Sequence, residues 1–169
     1  VLAYEHGDIE EATRLFQKVT QDNPKAVAAR CNWGVCLAQS GEIESGLNQL
    51  RLAAKEDPNS VLVHANTGVI CWMTGDLKGA EESLARAREL EPTDPRVAFL
   101  YARVVDTQGF HDQAIDIMQE SARDNPTDAS TFDNLGIFLR SQNRTEEAIT
   151  AFERACELDP ADSNPWYNL

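Results

Sequence analysis

Residues 129–162 read ASTFDNLGIFLRSQNRTEEAITAFERACELDPAD, and the spacing within this stretch decides the fold. Phe132, Leu135 and Gly136 recur at helical steps, Asn143 marks a turn, Ala148, Phe152 and Ala155 mark a second helix, and Pro160 closes it. Counting back from Pro160 in steps of 34 residues gives Pro126, Pro92, Pro58 and Pro24. Gly109, Gly75, Gly41 and Gly7 form the same ladder below Asn143. Asn is the residue that best replaces Gly where the backbone must turn left-handed. A third ladder, Ala12, Gly46, Ala80, Ala114 and Ala148, puts small residues where two helices must approach closely.

Helix, turn, helix and closing proline at one fixed period predict an all-α solenoid of stacked helical hairpins. The whole chain reads as a single array: a partial repeat over 1–26, full repeats over 27–60, 61–94, 95–128 and 129–162, and the start of another over 163–169. Helices are expected near 9–21, 27–39, 43–56, 61–73, 77–90, 95–108, 111–123, 129–142 and 145–158. Asp94-Pro95 supplies an N-cap and a first-turn proline together, and Ser60 and Thr145 are further candidate caps. Both ends of the sequence fall within a repeat, with Trp166 and Leu169 opening a new one, so a longer array is expected.

With those residues in hand, the chain resembles the tetratricopeptide repeat family. The family's pattern of aromatic, Leu-Gly, Ala, aromatic, Ala and Pro is met by Phe132, Leu135, Gly136, Ala148, Phe152, Ala155 and Pro160. Arg30, His64 and Ala98 depart from it, standing where the first aromatic is usual. The resemblance implies a right-handed superhelix whose first helices line a concave groove, and a role as a protein-interaction scaffold binding an extended peptide or partner helix within a larger assembly. An alternative is the substrate-recruiting arm of an enzyme, such as a glycosyltransferase, with its catalytic domain elsewhere. Some members clamp an acidic chaperone tail with Lys, Asn and Arg; Val35 and Leu100 stand where that set needs polar or basic groups.

The 169 residues carry a formal net charge of −13, which would repel a phosphate backbone, and no basic stripe offsets it, so nucleic acid is not an expected partner. No apolar run reaches the about 20 residues of a membrane helix, so direct membrane insertion is not expected. Cys31, Cys36, Cys71 and Cys156 are spread along the chain without a Cys-x-x-Cys pair. Free thiols of this kind suit a reducing cytoplasm, the expected location. His6, His64 and His111 fall in different repeat positions and cannot readily converge on a metal. No nucleophile-base or phosphate-loop pattern stands out, so neither catalysis nor a cofactor is expected. Asn143-Arg144-Thr145 matches a glycosylation triplet, but the turn already accounts for Asn143.

Because repeats are internal homologues, a position that accepts charge in one repeat is expected to be open in all. Four such positions in the first helices read Ala28, Leu62, Arg96 and Ser130; Val35, Val69, Arg103 and Ile137; Ala38, Trp72, Asp106 and Arg140; and Gln39, Met73, Thr107 and Ser141. They lie three, four or seven residues apart and share one helical face. Leu62, Val69, Trp72 and Met73 make this face apolar in one repeat, a candidate partner anchor. Trp72 could equally fold onto Tyr4 or a neighbouring helix. Asn32, Asn66, Asn134 and Asn168 form a ladder broken by Leu100, able to pair with a peptide backbone or, alternatively, with local polar groups. Arg96, Arg103 and Arg140 against Asp106 and Asp133 leave this face neutral to slightly positive, while acid collects on second helices and turns. Self-association through the terminal repeats is a further expectation.

Overall fold

The computed structural model describes residues 9–161, and every regular element among them is helical. The chain divides into two compact units, Val1–Leu90 and Glu91–Leu169. The first holds α1 (Ile9–Asp22), α2 (Val27–Gln39), α3 (Ile43–Glu56), α4 (Val61–Met73) and α5 (Leu77–Leu90); the second holds α6 (Pro95–Thr107), α7 (His111–Asp124), α8 (Ala129–Ser141) and α9 (Thr145–Leu158). These bounds agree with the sequence reading to within one residue. Tyr4, His6, Gly7, Trp166, Asn168 and Leu169, to which that reading also gave roles, lie outside the described residues.

In the first unit α2 packs on α3 and α4 on α5, α1 lies against α2, and the first helices α2 and α4 also touch. In the second, α6 pairs with α7 and α8 with α9, while α6 meets α8. The turn ladder is realised in the backbone: φ is +89° at Gly41, +81° at Gly75 and +92° at Gly109, and Asn143 takes the same left-handed region at φ 58°. The small-residue ladder marks the crossings, with Ala12, Ala80 and Ala114 fully buried. At α2–α3 the approach is closest: a Cβ added to Gly46 would stand 2.5 Å from the Gly34 carbonyl oxygen, so backbone meets backbone. At α8–α9 the ring of Phe152 fills the space beside Gly136.

Aspartate side chains cap three of the described helices, α5, α6 and α8. Asp94 accepts from the backbone N–H groups of Arg96 and Val97 at 2.8 and 3.4 Å. Asp128 accepts from Thr131 N at 3.1 Å and Asp76 from Gly79 N at 3.0 Å, two caps that the sequence reading missed. Of the expected caps, Ser60 holds the N-cap position without a side-chain cap bond. Thr145 is not a cap: Arg144 occupies that position, and Thr145 is the first helical residue. Arg144 instead ties itself to the first-turn carboxylate of Glu147 through two bonds of 2.7 Å.

The polar residues at the family's aromatic position have a common use. The Arg30 side chain donates to the Pro24 carbonyl at 3.1 Å, and His64 Nε2 lies 2.8 Å from the Pro58 carbonyl. Where Phe132 keeps the aromatic, Arg154 reaches the Pro126 carbonyl at 3.4 Å and holds its guanidinium 5.9 Å from the Phe132 ring centroid. Each of these ladder prolines thus has its carbonyl met by a side chain, whichever helix supplies it.

Candidate functional site

The face shared by the first helices is built differently in the two units. In Val1–Leu90 it comprises Asn32 and Val35 on α2 with Leu62, Asn66, Val69, Trp72 and Met73 on α4. Helix α4 contains no Lys, Arg, Asp or Glu over its whole length. Leu62 is 43% exposed and Met73 56%, whereas Val69 and Trp72 are half-buried. Trp72 is therefore neither a core residue nor a free-standing one. Its partially open indole shares the helix with two exposed apolar side chains, Leu62 toward the start and Met73 at the end.

The rule that a charge-tolerant position is open in every repeat fails at Ala38, which is 4% exposed. The cause is the close α2–α3 crossing: a Cβ on Gly46 would lie 3.3 Å from the Ala38 Cβ, so α3 covers this position. The next hairpin has Ala80 in place of Gly46, and there the position carries the half-open Trp72. Ala28, Leu62, Arg96 and Ser130 are all exposed, as are Gln39, Met73, Thr107 and Ser141, except that Ser130 sits at a cleft edge described below.

Asn66 does not stand free in its row. Its amide donates to the Cys31 sulfur at 3.1 Å, and that thiol also approaches the Leu62 carbonyl at 3.7 Å. Burial pushes the Cys31 thiol pKa up, against the smaller opposing effect of the Asn66 bond. Asn66 thus couples α4 to α2 and keeps its carbonyl for other contacts. Asn32 and Asn134 are half-buried.

In Glu91–Leu169 the face carries Arg96 and Arg103 on α6 with Asn134, Ile137 and Arg140 on α8. Arg96, Phe99, Leu100, Ser130 and Asn134 line a cleft of about 470 Å³ between these helices. This cleft brings together Arg96 and Asn134 from the predicted set, and it adds Phe99, which the sequence reading overlooked. Phe99 packs edge-on against Phe138 with ring centroids 6.2 Å apart, and the Arg103 guanidinium lies 5.6 Å from the Phe99 centroid. Arg140 stands similarly over Phe152 at 5.4 Å. Ile137 is exposed.

The charges expected to give this face its sign are partly neutralised. Arg96 is 85% exposed, yet its Nη2 lies 2.9 Å from the Oδ2 of Asp94, whose side chain is only 8% exposed. Burial works to raise the Asp94 pKa, but hydrogen bonds from the Arg96 side chain and backbone outweigh it and hold the carboxyl below its usual range. Asp106 is likewise engaged, its Oδ1 lying 2.6 Å from His111 Nδ1. Among the described residues no group of His, Cys, Asp and Glu side chains could hold a metal ion, and no helix is long and apolar enough to cross a membrane.

Paired antiparallel helices at a fixed period, with small residues at their crossings and left-handed turns between them, define an α-solenoid repeat protein. A tetratricopeptide repeat family description matches residues 3–65 and 72–135, more than half the chain, and a second, described as TPR repeat, matches 136–169. The chain belongs to the tetratricopeptide repeat family. It is similar to the peroxisomal targeting signal receptor of Saccharomyces cerevisiae, at 35% identity over 83 residues, covering 49% of this chain and 14% of the receptor. Among solved structures it resembles TTC0263, a thermophilic TPR protein of Thermus thermophilus, with a TM-score of 0.81 and 18% identity over 99% of this chain and 91% of that one. It also resembles YrrB, described as a TPR protein with an unusual peptide-binding site, with a TM-score of 0.66 and 18% identity over 98% and 86% of the two chains. At these identities the structural likenesses establish the fold alone.

Proposed function

We propose that this chain is a protein-interaction module that binds an extended peptide or partner helix on the open face of its first helices, with α4 as the apolar anchor. The observation that carries this reading is a charge-free helix whose Leu62 and Met73 remain exposed in a chain of net charge −13. Exposed apolar side chains clustered around a partly desolvated Trp are the usual composition of an interface centre. In the first unit Asn32 and Asn66 share the face with α4 and supply amide groups for a peptide backbone. The yeast relative is a receptor for a targeting signal, and YrrB has a peptide-binding site; both support a peptide as the ligand class.

The test is affinity capture from the native source with the wild-type chain and a Leu62→Asp, Trp72→Ala double variant whose helical content and unfolding midpoint are unchanged. A partner retained by the wild type and lost by the variant supports the reading. A partner held equally by both moves binding away from α4 and refutes it.

A further inference from the structure

The side of the second unit formed by α7 and α9 contains a feature that the first-helix face does not use. Between α7 and α9, over α8, lies a cleft of about 460 Å³. Its floor is apolar: Phe132, half-buried beside the Arg154 guanidinium, with Leu135 and Leu139 from α8 and Ala151 from α9 buried beneath, and Glu147 on the same lining. Gln119 and Thr150 stand at its two walls, and Thr150 is exposed.

The charges on the cleft lining balance, Glu147 against Arg154, and an acidic excess arises only at one end, from Asp112 and Asp116 on α7. Arg144 is bound by Glu147, and the same guanidinium also feels Asp112 and Asp116. Glu147 thus pairs directly with Arg144, and Asp112 and Asp116 add a longer-range attraction. Arg154, on the cleft lining, is taken up by Glu157 at 2.9 Å and by the Pro126 carbonyl. Asp112, Asp116 and Gln119 follow one another at helical steps on α7, so the two aspartates stand one turn apart, about 6 Å along the axis. Both are exposed.

One period earlier the corresponding positions are apolar too, Ala85, Ala98, Tyr101, Val105 and Ile117. Two periods earlier, in the first unit, the corresponding positions are Arg51, His64, Thr67, Cys71 and Ser83 in place of Gln119, Phe132, Leu135, Leu139 and Ala151. His64, Thr67 and Ser83 there make the floor more polar, and Arg51 stands in place of the wall residue Gln119. His64 is moreover turned to the Pro58 carbonyl.

We propose that the α7–α9 cleft is a second docking site, which takes a basic amphipathic helix. The helix lays apolar side chains one turn apart on Phe132, Leu135 and Ala151 and sets Lys or Arg residues, also one turn apart, against Asp112 and Asp116. Apolar floor and acidic rim select together: an acidic helix meets like charge, and a basic segment without an apolar stripe gains nothing from the floor. This site is independent of the α4 face and does not rest on the function proposed for it.

The probe is a fluorescein-labelled synthetic helix of Leu and Lys, about 18 residues or five turns long, titrated against the 169-residue chain by fluorescence anisotropy. Two controls accompany it: the same pattern with Glu for Lys, and a scrambled Leu/Lys peptide of identical composition. Saturable binding of the patterned Leu/Lys helix is expected, with the Glu peptide not binding and the scrambled one at least about tenfold weaker. Thr150→Arg, which closes the mouth and adds positive charge, and the pair Asp112→Lys, Asp116→Lys should each weaken binding at least about tenfold. Leu62→Asp with Trp72→Ala should leave it within about twofold, as expected for an independent site. Equal binding of the scrambled or Glu peptide, indifference to both cleft variants, loss in the Leu62→Asp, Trp72→Ala variant, or no binding at all would each overturn the proposal. The substituted cleft residues are exposed, and circular dichroism confirms folding. Should Thr150→Arg fail to fold, the aspartate pair decides.

Discussion

Helices α4 and α6 occupy the same place in successive repeats, yet Leu62, Val69 and Trp72 on α4 are answered by Arg96, Arg103 and Asp106 on α6. The backbone path, the turn and the small-residue crossing are common to both. None of these six side chains is fully buried, so packing does not dictate them and each repeat sets its own surface chemistry. Even within α6 the outcome is not a simple positive patch. Arg96 is returned to Asp94 and Asp106 to His111, while Arg103 lies over Phe99. The face of α4 is thus apolar and without ionic side chains, whereas that of α6 carries charges that are locally tethered.

The comparison would break most visibly if core and face positions were interchangeable. Phe152 is buried against Gly136, and Phe152→Ala should lower stability by about 3–5 kcal/mol in urea unfolding. Trp72→Ala should instead weaken partner binding by about 1–3 kcal/mol, with little movement of the urea midpoint. A midpoint loss as large as that of Phe152→Ala would assign Trp72 to the core and erase the contrast between the units. Asp94→Ala removes the α6 cap and should cost about 1 kcal/mol at neutral pH. Because the folded carboxyl sits below its unfolded value near 3.9, its contribution is complete above about pH 4 and is lost as pH falls through the folded value. The gap between wild type and Asp94→Ala should therefore close in acid. Smallest of all, Arg96→Ala should change stability by less than about 1 kcal/mol, since its guanidinium is largely in solvent.

The periodic ladders make the helices and turns legible to within a residue, because close crossings and left-handed turns tolerate few side chains. Asn143 is the clearest case: the ladder of glycines predicts its left-handed backbone. The face is less legible. Nothing in the ladder tells that a Gly34–Gly46 crossing brings α3 over Ala38, since that depends on how near two helices come. Nor does spacing tell that Asn66 donates to Cys31, because the thiol lies 35 residues away in the preceding repeat. Thr145 reads as a cap because hydroxyl residues commonly start helices, whereas here an arginine–glutamate pair holds the first turn. Phe99 lies outside the four positions followed, although Asp133 one period later marks its position as charge-tolerant as well.

Cys31, Cys36, Cys71 and Cys156 are all buried, and none of them forms a disulfide. For Cys31, Cys36 and Cys71 burial also raises the pKa, which suppresses the thiolate that alkylating reagents attack. Each of these sulfurs becomes reactive only when its helix parts from its neighbour. The chain consequently contains its own opening clock, three thiols in the first unit and one in the second, whose labelling rates under native conditions record how often each seam comes apart.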